Sequence, residues 1–398
     1  MNRVLKYGHG AIKDTEDIKK LSKFIKEKIC DKEGLVIVVS GTEKRKEDVL
    51  KETESSRLQI SREKFEDLMI AVEEETAVML GIAMENIGLE NKVITSNVAE
   101  ISDDEYGAKK RSVDTSKIEE ALADGNIVIA TPYHRLGNYG SIEKYGAGGS
   151  DITAVAIAVQ LGAECNIYGV SDGIYSSPLP DKSNAKKIDS ISYEELMELT
   201  ITGGGEPAVG AVELAKQYKV PLYIGKAFEE KQGGTYVMNQ NLMVEKAPVT
   251  GISAASGCSI YSVRGIENSG DLQVKLFELL SENDISVDMI TQQMEKDGTR
   301  SISFSLTAEQ EADFEKALSS SDIFKDVKVS KQENMAIVSV IGVGMASYSG
   351  VAGKVFSVLA QERINYYQVT TSEISISVTV DDKDRSKAVI ALGDRFGL

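Results

Sequence analysis

The sequence predicts an α/β protein with a mainly parallel central sheet, followed by a duplicated small βαβ-type unit. Two observations carry this. Across residues 1–248, short apolar runs alternate with segments whose apolar residues recur at helical spacing. After residue 249, "SGDLQVKLFELLSENDISVDMITQQ" and "YSGVAGKVFSVLAQERINYYQVTTS" repeat one pattern. A length of 398 residues supports more than one domain. The boundaries expected are 1–248, 249–330 and 331–398, with the last two interleaved.

The elements follow in order. "RVLKYG" is a short strand and "DIKKLSKFIKEKI" an amphipathic helix. "LVIVVSG" is a buried strand ending in a turn. Residues 63–88 form a helix, "KVITS" a strand, and "KIEEALADG" a helix stopped by glycine. "NIVIAT" is a strand, followed by a polar loop to 144. "CNIYGV" is the next strand. Then come a loop, the helices "SYEELMEL" and "AVGAVELAKQY", and the strand "VPLYIG". Strands separated by helices define a parallel α/β sheet. In the C-terminal repeat, each copy has a glycine turn and an amphipathic helix carrying Phe277 or Phe356. Ile285 or Ile364 follows at the same offset, and then a strand. "RSISFSL" and "EISISVTV" alternate as strands with one apolar face.

Composition narrows the function. Acidic side chains number 62 against 45 basic ones, a formal net charge of -17. That field repels nucleic acid and anionic membranes, so an anionic ligand must be held by local geometry. Cys30, Cys165 and Cys258 are scattered and only His9 and His134 are present, which argues against a disulfide framework and a zinc site. The N-terminal "MNRVLKYGHG" is not an apolar signal segment, and the cytoplasm is the expected location.

The chemistry concentrates in "YGAGGSDITAVAIA", residues 145–158. It fails the Walker A pattern, and Asp151 breaks G-x-G-x-x-G. A glycine turn at a helix N-terminus remains, where backbone amides can face an anion. The plainer reading makes Ser150 or Asp151 an N-cap. Two other features favour a ligand. Lys6 ends the first strand just before Gly8 and Gly10, and Ser40 and Gly41 end the next. Strand C-terminal ends in an α/β sheet share one crevice. A lysine, a hydroxyl and glycine amides there suit phosphoryl transfer, which needs charge stabilisation above all.

With these residues in view, the chain resembles an aspartate kinase of the amino-acid kinase family over nearly its whole length. "KYGHGA" is similar to K-F-G-G-T-S, and "VEEETAVML" falls where the family has its G-E-x-x-S helix. "GAGGSDITAVAIA" resembles G-R-G-G-S-D-T-T-A-V-A-L-A, and "IYGVSDGIY" resembles I-Y-T-D-V-D-G-V-Y. "ISYEELMEL" is nearly the family sequence. "VDMITQQ", "GVGMASYSGVAGKVF" and "TTSEISISV" resemble paired ACT domains. The resemblance implies a three-layer sandwich followed by two ferredoxin-like βαββαβ ACT domains. It implies ATP with Mg²⁺, an amino acid substrate, an amino acid effector and a homodimer formed through the ACT domains. Nucleic acid and membrane partners are not expected.

Position by position, the resemblance makes Lys6 and Asp151 catalytic, with Lys6 stabilising the transferring phosphoryl group. Ser40, Glu73, Gly149 and Ser150 would bind substrate, with Glu73 and Asp151 holding its amino group. Gly8, Gly10, Gly148, Asp172 and Tyr175 would bind nucleotide. Gly8, Gly148 and Gly149 would form the phosphate cradle, with Tyr175 beside the adenine. Asp288, Gln292, Met345, Ser372 and Glu373 would bind effector, with Asp288, Gln292 and Ser372 just after the second strand of each unit. The resemblance implies no resident metal ligand.

Several positions depart from the family pattern. Ala147 stands where the family has the arginine that grips the substrate α-carboxylate, a loss of roughly 1.5–3 kcal/mol. Gly169 and Val170 replace a T-D pair. Gly205 replaces a nucleotide-facing lysine, Ala208 a histidine, and His9 and Gly10 the Gly-Thr of the first motif. Three readings follow. One is an aspartokinase under feedback control, catalysing the first step towards lysine, threonine and methionine. The second is a catalytically weakened regulatory or amino-acid-sensing paralogue. The third is a kinase for another amino-acid-like substrate, with Arg135 or Lys144 in place of the missing arginine.

Overall fold

The structure is a computed structural model. It describes residues 2–8, 10–29, 34–55, 61–95, 113–132, 134–136, 142–144, 149–178, 181–203, 207–229, 233–239, 247–266, 271–296, 298–324 and 327–398. Two compact units result. The first comprises Met1–Ile174, Lys187–Thr200 and Gly205–Val244. The second comprises Tyr175–Lys186, Ile201–Gly204 and Glu245–Leu398.

The first unit is built on β1 (Arg3–Tyr7), β2 (Leu35–Val39), β3 (Asn91–Ile94), β4 (Ile127–Ala130), β7 (Glu164–Gly169), β8 (Ser190–Ser192), β9 (Leu222–Lys226) and β10 (Thr235–Met238). A small hairpin of β5 (His134–Leu136) and β6 (Ile142–Lys144) stands apart. The eight-stranded sheet runs β3-β4-β2-β1-β7-β9-β10-β8. The pairs from β3 through β9 are parallel, and β10 runs antiparallel to β9. β2 is a wholly apolar run, as a strand covered on both faces requires, while β1 carries Arg3 and Lys6 among its apolar residues. The helices are α1 (Thr15–Phe24), α2 (Glu43–Ser55), α3 (Arg62–Glu85), α4 (Ser116–Ala123), α5 (Gly149–Leu161), α6 (Tyr193–Gly203) and α7 (Val209–Tyr218).

One face of the sheet presents Leu5, Tyr7, Ile37, Val39, Ile127 and Ile129. They join Ile18 and Leu21 of α1 and Ala77, Leu80 and Met84 of α3 in one buried cluster. α5 packs against β1 and β7 and also against α7. The start of α1 shows how the sequence sets its elements. Asp14 accepts from the amides of Glu16 (2.9 Å) and Asp17 (3.2 Å), and Asp17 accepts from the amide of Lys13 (3.0 Å). These bonds occupy amides that the first helical turn leaves unpaired.

The second unit has a six-stranded sheet in the order β12-β13-β11-β14-β16-β15. Its strands are β11 (Gly251–Ile266), β12 (Ile290–Met294), β13 (Arg300–Thr307), β14 (Lys328–Ile341), β15 (Tyr366–Thr371) and β16 (Ser375–Asp381). Its helices are α8 (Asp271–Glu282), α9 (Ala308–Ser320), α10 (Val351–Gln361) and α11 (Arg385–Phe396). Two βαββαβ lobes share the long strands. The first half of β11 pairs with the last half of β14, Gly251 opposite Ile341 and Ser256 opposite Ala336. The second half of β11 pairs with the first half of β14, Arg264 opposite Lys328. The lobe containing α8 and α9 therefore takes its outer strand from the start of β14. The lobe containing α10 and α11 takes its outer strand from the start of β11. Each lobe has its own core, one around Leu276, Phe304 and Phe314, the other around Val355, Leu359 and Val378. Phe277 and Phe356 pack against these cores, and Ile285 and Ile364 belong to them, as the repeat requires.

Candidate active site

Parallel neighbours in the order β4-β2-β1-β7-β9 end at one edge of the sheet. The strand order reverses between β1 and β7, where ligands gather in open α/β sheets. Lys6 lies at that point, in register with Val38 of β2 and Ile167 of β7. A lysine is expensive inside a sheet unless paired. Lys6 is 1% exposed, and its Nζ lies 2.7 Å from Asp151 Oδ1. The other carboxylate oxygen of Asp151 accepts the Ala208 amide at 2.8 Å.

These partners settle the role of Asp151 within the fold. α5 begins at Gly149, so Asp151 is its third residue and is no N-cap. Its carboxylate reaches across to β1 and to the N-cap position of α7. The Ala208 contact uses the main chain, so it does not depend on the side chain at that position. Gly149 is buried at the head of α5, and its carbonyl accepts from Thr153 Oγ1 at 2.8 Å. The first-turn amides of an α-helix lack acceptors within the helix and suit an anion. Ser150 shares that turn, partly exposed.

Ser40 follows β2, is buried, and donates its amide to Tyr7 O at 3.2 Å. Glu73 lies on α3, 3% exposed. The Thr42 amide donates to Thr76 Oγ1 at 3.2 Å, and a Cβ on Gly41 would stand 2.7 Å from Val72 Cγ1. The 72–76 stretch of α3 therefore packs on the Ser40–Thr42 loop, which places Glu73 beside the ends of β1 and β2.

The glycine turn after β1 departs from the expected cradle in one respect. The Gly8 amide donates to Tyr168 O at 3.3 Å, extending the β1–β7 ladder. Gly8 therefore offers space and no donor. Ala11 closes a turn onto Gly8 O at 3.1 Å, with Gly10 at φ 76°. A Cβ on Gly10 would meet Val170 Cγ2 at 2.8 Å, so the turn packs tightly under the residues after β7. Asp172, also after β7, pairs with Lys187 at 3.0 Å. Tyr175 belongs to the second unit. Gly148, Ala147 and Gly205 lie outside the described residues. Arg135 and Lys144 stand on β5 and β6, Arg135 opposite Glu143 and Lys144 opposite His134.

Thr131 is a site candidate that sequence reading passed over as the last letter of a strand. Its amide donates to Ile94 O at 3.2 Å, carrying the ladder past the end of β4. It is 1% exposed, and its hydroxyl has no hydrogen-bond partner among the described residues. A buried hydroxyl at a strand end beside Ser40 is the kind of group a ligand satisfies.

The effector candidates separate into two places. Asp288 stands just before β12 and Gln292 within it, which corrects the expectation that they follow the second strand of their unit. Ser372 does follow β15. Its hydroxyl faces Ser375 Oγ at 2.8 Å and accepts the amides of Ile374 and Ser375, forming the β15–β16 turn that includes Glu373. Met345 joins that end of the same lobe, because Gly342 accepts the Met345 amide and donates to Ile374 O. Desolvation raises the Asp288 carboxyl above the ordinary value of 3.8, although the residue remains exposed. Among the described residues, no group of three His, Cys, Asp or Glu side chains could hold a metal, and no helix is long and apolar enough to cross a membrane.

A buried Lys–Asp pair lies at the switch point, with a helix N-terminus and a glycine turn near it. The chain belongs to the amino acid kinase family, whose profile matches residues 1–226, and residues 338–396 match an ACT domain. Relatives run nearly its whole length. It is 32% identical to the aspartokinase of Geobacillus stearothermophilus, over 99% of this chain and 97% of that one. It is also 32% identical to aspartokinase 2 of Bacillus subtilis, over 92% and 90% of the two chains. Among solved structures, E. coli aspartokinase III in complex with aspartate and ADP superposes with a TM-score of 0.83 at 18% identity, covering 100% of both chains. Aspartate kinase of Clostridium acetobutylicum gives 0.76 at 20% identity, over 99% and 100%. At such identities the two structures show the shared fold. The protein is a kinase of this family carrying a C-terminal ACT region.

Proposed function

We propose that the protein transfers the γ-phosphoryl group of ATP to the side-chain carboxylate of aspartate, giving an acyl phosphate. The observation that carries the reading is the Lys6–Asp151 pair, buried at the crossing of β1 and α5 and fixed from the far side by the Ala208 amide. Full-length similarity to named aspartokinases supplies the substrate. Lys6 neutralises charge that develops on the transferring group, and Asp151 holds the lysine in place until the phosphates arrive. The amides of Gly149 and Ser150 receive phosphate oxygens. Glu73 and Ser40 take the amino acid, with the carboxylate of Glu73 on its ammonium group, and Asp172 and Tyr175 take the nucleotide. Mg²⁺ would enter with ATP and be held chiefly by the nucleotide and its waters. Such an ion neutralises phosphate charge when bound.

The ACT region supports feedback control by an amino acid end product, with Asp288 and Gln292 on one lobe and Met345, Ser372 and Glu373 on the other. Lysine, threonine and methionine are the candidates, and a homodimer through this region is the assembly proposed. A cytoplasmic location fits ATP and free amino acids as substrates. An ATP-dependent hydroxamate assay across acidic amino acids tests the catalytic reading, because hydroxylamine traps acyl phosphates. A regulatory paralogue gives no signal while remaining folded. A kinase with a different substrate gives a signal with another acceptor.

A further inference from the structure

The unpartnered hydroxyl of Thr131 has a direction that the strand pattern fixes. Ile127 and Ile129 of β4 belong to the cluster beneath α3, together with Leu5 and Tyr7 of β1 and Ile37 and Val39 of β2. Successive side chains of a strand alternate between faces. The Thr131 amide carries the β3–β4 ladder one residue past β4, onto Ile94 O. The alternation therefore continues, and the Thr131 side chain falls on the α3 face. Lys6, between Leu5 and Tyr7, faces the other way, towards Asp151 on α5. α3 runs over the sheet against the strand direction. Asn91 at the start of β3 donates to Gly81 O at 3.1 Å, whereas Val72 packs on Gly41 after β2. Ala77, Leu80 and Met84 form the buried stripe of this helix. Glu73, four residues before Ala77, is the next member of that stripe, since residues four apart share a helix face. It is buried and overhangs the strand ends on the same face as Thr131. A valine would fill the Thr131 position without burying a hydroxyl that lacks a partner, so the hydroxyl points to an acceptor on a ligand.

We infer that the Thr131 hydroxyl donates to the α-carboxylate of the amino acid acceptor, making Thr131 a specificity-determining residue. The inference rests on the reading of Glu73 as the contact for the ammonium group. An amino acid carries its ammonium group and α-carboxylate on one carbon. A ligand whose ammonium meets Glu73 therefore holds its α-carboxylate on the α3 face as well. A carboxylate accepts and cannot donate when ionised, and a hydroxyl can donate to it. The side-chain carboxylate then extends across the strand ends to the α5 side, where Lys6 stands. Thr131 thus grips the end of the acceptor that does not react. Binding made equally in the ground state and the transition state sets KM and leaves kcat alone.

The test uses the full-length chain, with kcat and KM for L-aspartate from the hydroxamate assay and Mg-ATP affinity from calorimetry. Thr131→Val keeps the shape and removes the hydroxyl. The aspartate KM should rise about tenfold, with kcat and Mg-ATP affinity unchanged. Thr131→Ser should recover most of the loss, because it returns the hydroxyl without the methyl group. Glu73→Gln is run in parallel and should also raise the aspartate KM. A wild-type KM in Thr131→Val, with a raised KM in Glu73→Gln, overturns the inference and leaves the reading of Glu73 intact. A loss in Thr131→Val that Thr131→Ser does not recover makes the role one of packing and overturns it too. A wild-type KM in Glu73→Gln, or no hydroxamate from aspartate with the wild type, removes the reading of Glu73 and the inference with it.

Discussion

At the scale of single residues, Lys6 is a buried lysine whose ammonium lies 2.7 Å from the Asp151 carboxylate. A buried ammonium beside the Asp151 carboxylate can exchange part of that pairing for a phosphate. Its interaction strengthens as charge shifts in the transition state, so Lys6→Ala should lower kcat about 100- to 1000-fold while weakening ATP binding far less. Steady-state kinetics beside calorimetry read both quantities, and an active Lys6→Ala enzyme would contradict the assignment. Thr131 predicts the opposite balance. Its hydroxyl has no partner to lose among the described residues, so Thr131→Val should raise stability by about 1 kcal/mol. Acceptor kcat/KM should fall about tenfold if the hydroxyl serves the ligand, as one lost hydrogen bond implies. Lys6 was legible because a lysine closing an apolar strand before glycines is unusual. Thr131 was not, because a threonine at a strand end is ordinary until its burial is known. The amide of Gly8 was not legible either: sequence shows the glycine, and only the sheet shows that its N–H is already taken.

At the scale of elements, the long and strongly patterned ones were readable, and several of the short ones were not. α3, β2 and the repeated helices α8 and α10 stand where their apolar spacing puts them. α2 went unnoticed because only Val49 on it is buried, so it lacks an apolar stripe. β5, β6, β8 and β10 are three or four residues each, too short for a periodicity to show. The sharing of β11 between two lobes was legible as interleaving, though not as a register. The start of α1 carries a pH prediction. Burial opposes the charge on Asp17, but hydrogen bonds from Lys20 and the Lys13 amide outweigh it and hold its pKa below the ordinary 3.8. A depressed carboxyl stabilises the fold above its unfolded pKa, and that contribution disappears as pH falls through the folded value. Asp17→Asn should therefore cost about 1 kcal/mol near neutrality, and the difference from wild type should close below pH 3.8. Thermal melts at both pH values check this. A gap that persists in acid would mean the loss is one of packing.

At the scale of the whole molecule, one chain carries a phosphotransfer site and a duplicated module suited to sensing small amino acids. Its net charge of -17 leaves substrate anions to be held by local geometry. Effector binding should raise the melting temperature by mass action, about 2.7 kcal/mol of stabilisation at a hundredfold excess over Kd. Millimolar lysine, threonine and methionine should be screened, with Asp288→Ala abolishing any shift while light scattering reports the same assembly as for the wild type. A shift that survives Asp288→Ala would move the site elsewhere. Desolvation raises the Asp288 carboxyl, so its hold on an ammonium group should be lost at a higher pH than for an ordinary aspartate. Weakening of the effector should accordingly begin above pH 3.8 as the solution is acidified. The measurement closest to the central claim remains the hydroxamate assay with aspartate and Mg-ATP. The account predicts aspartyl hydroxamate that depends on both substrates and disappears in Lys6→Ala. Folded protein that binds Mg-ATP yet yields no hydroxamate with aspartate would contradict it.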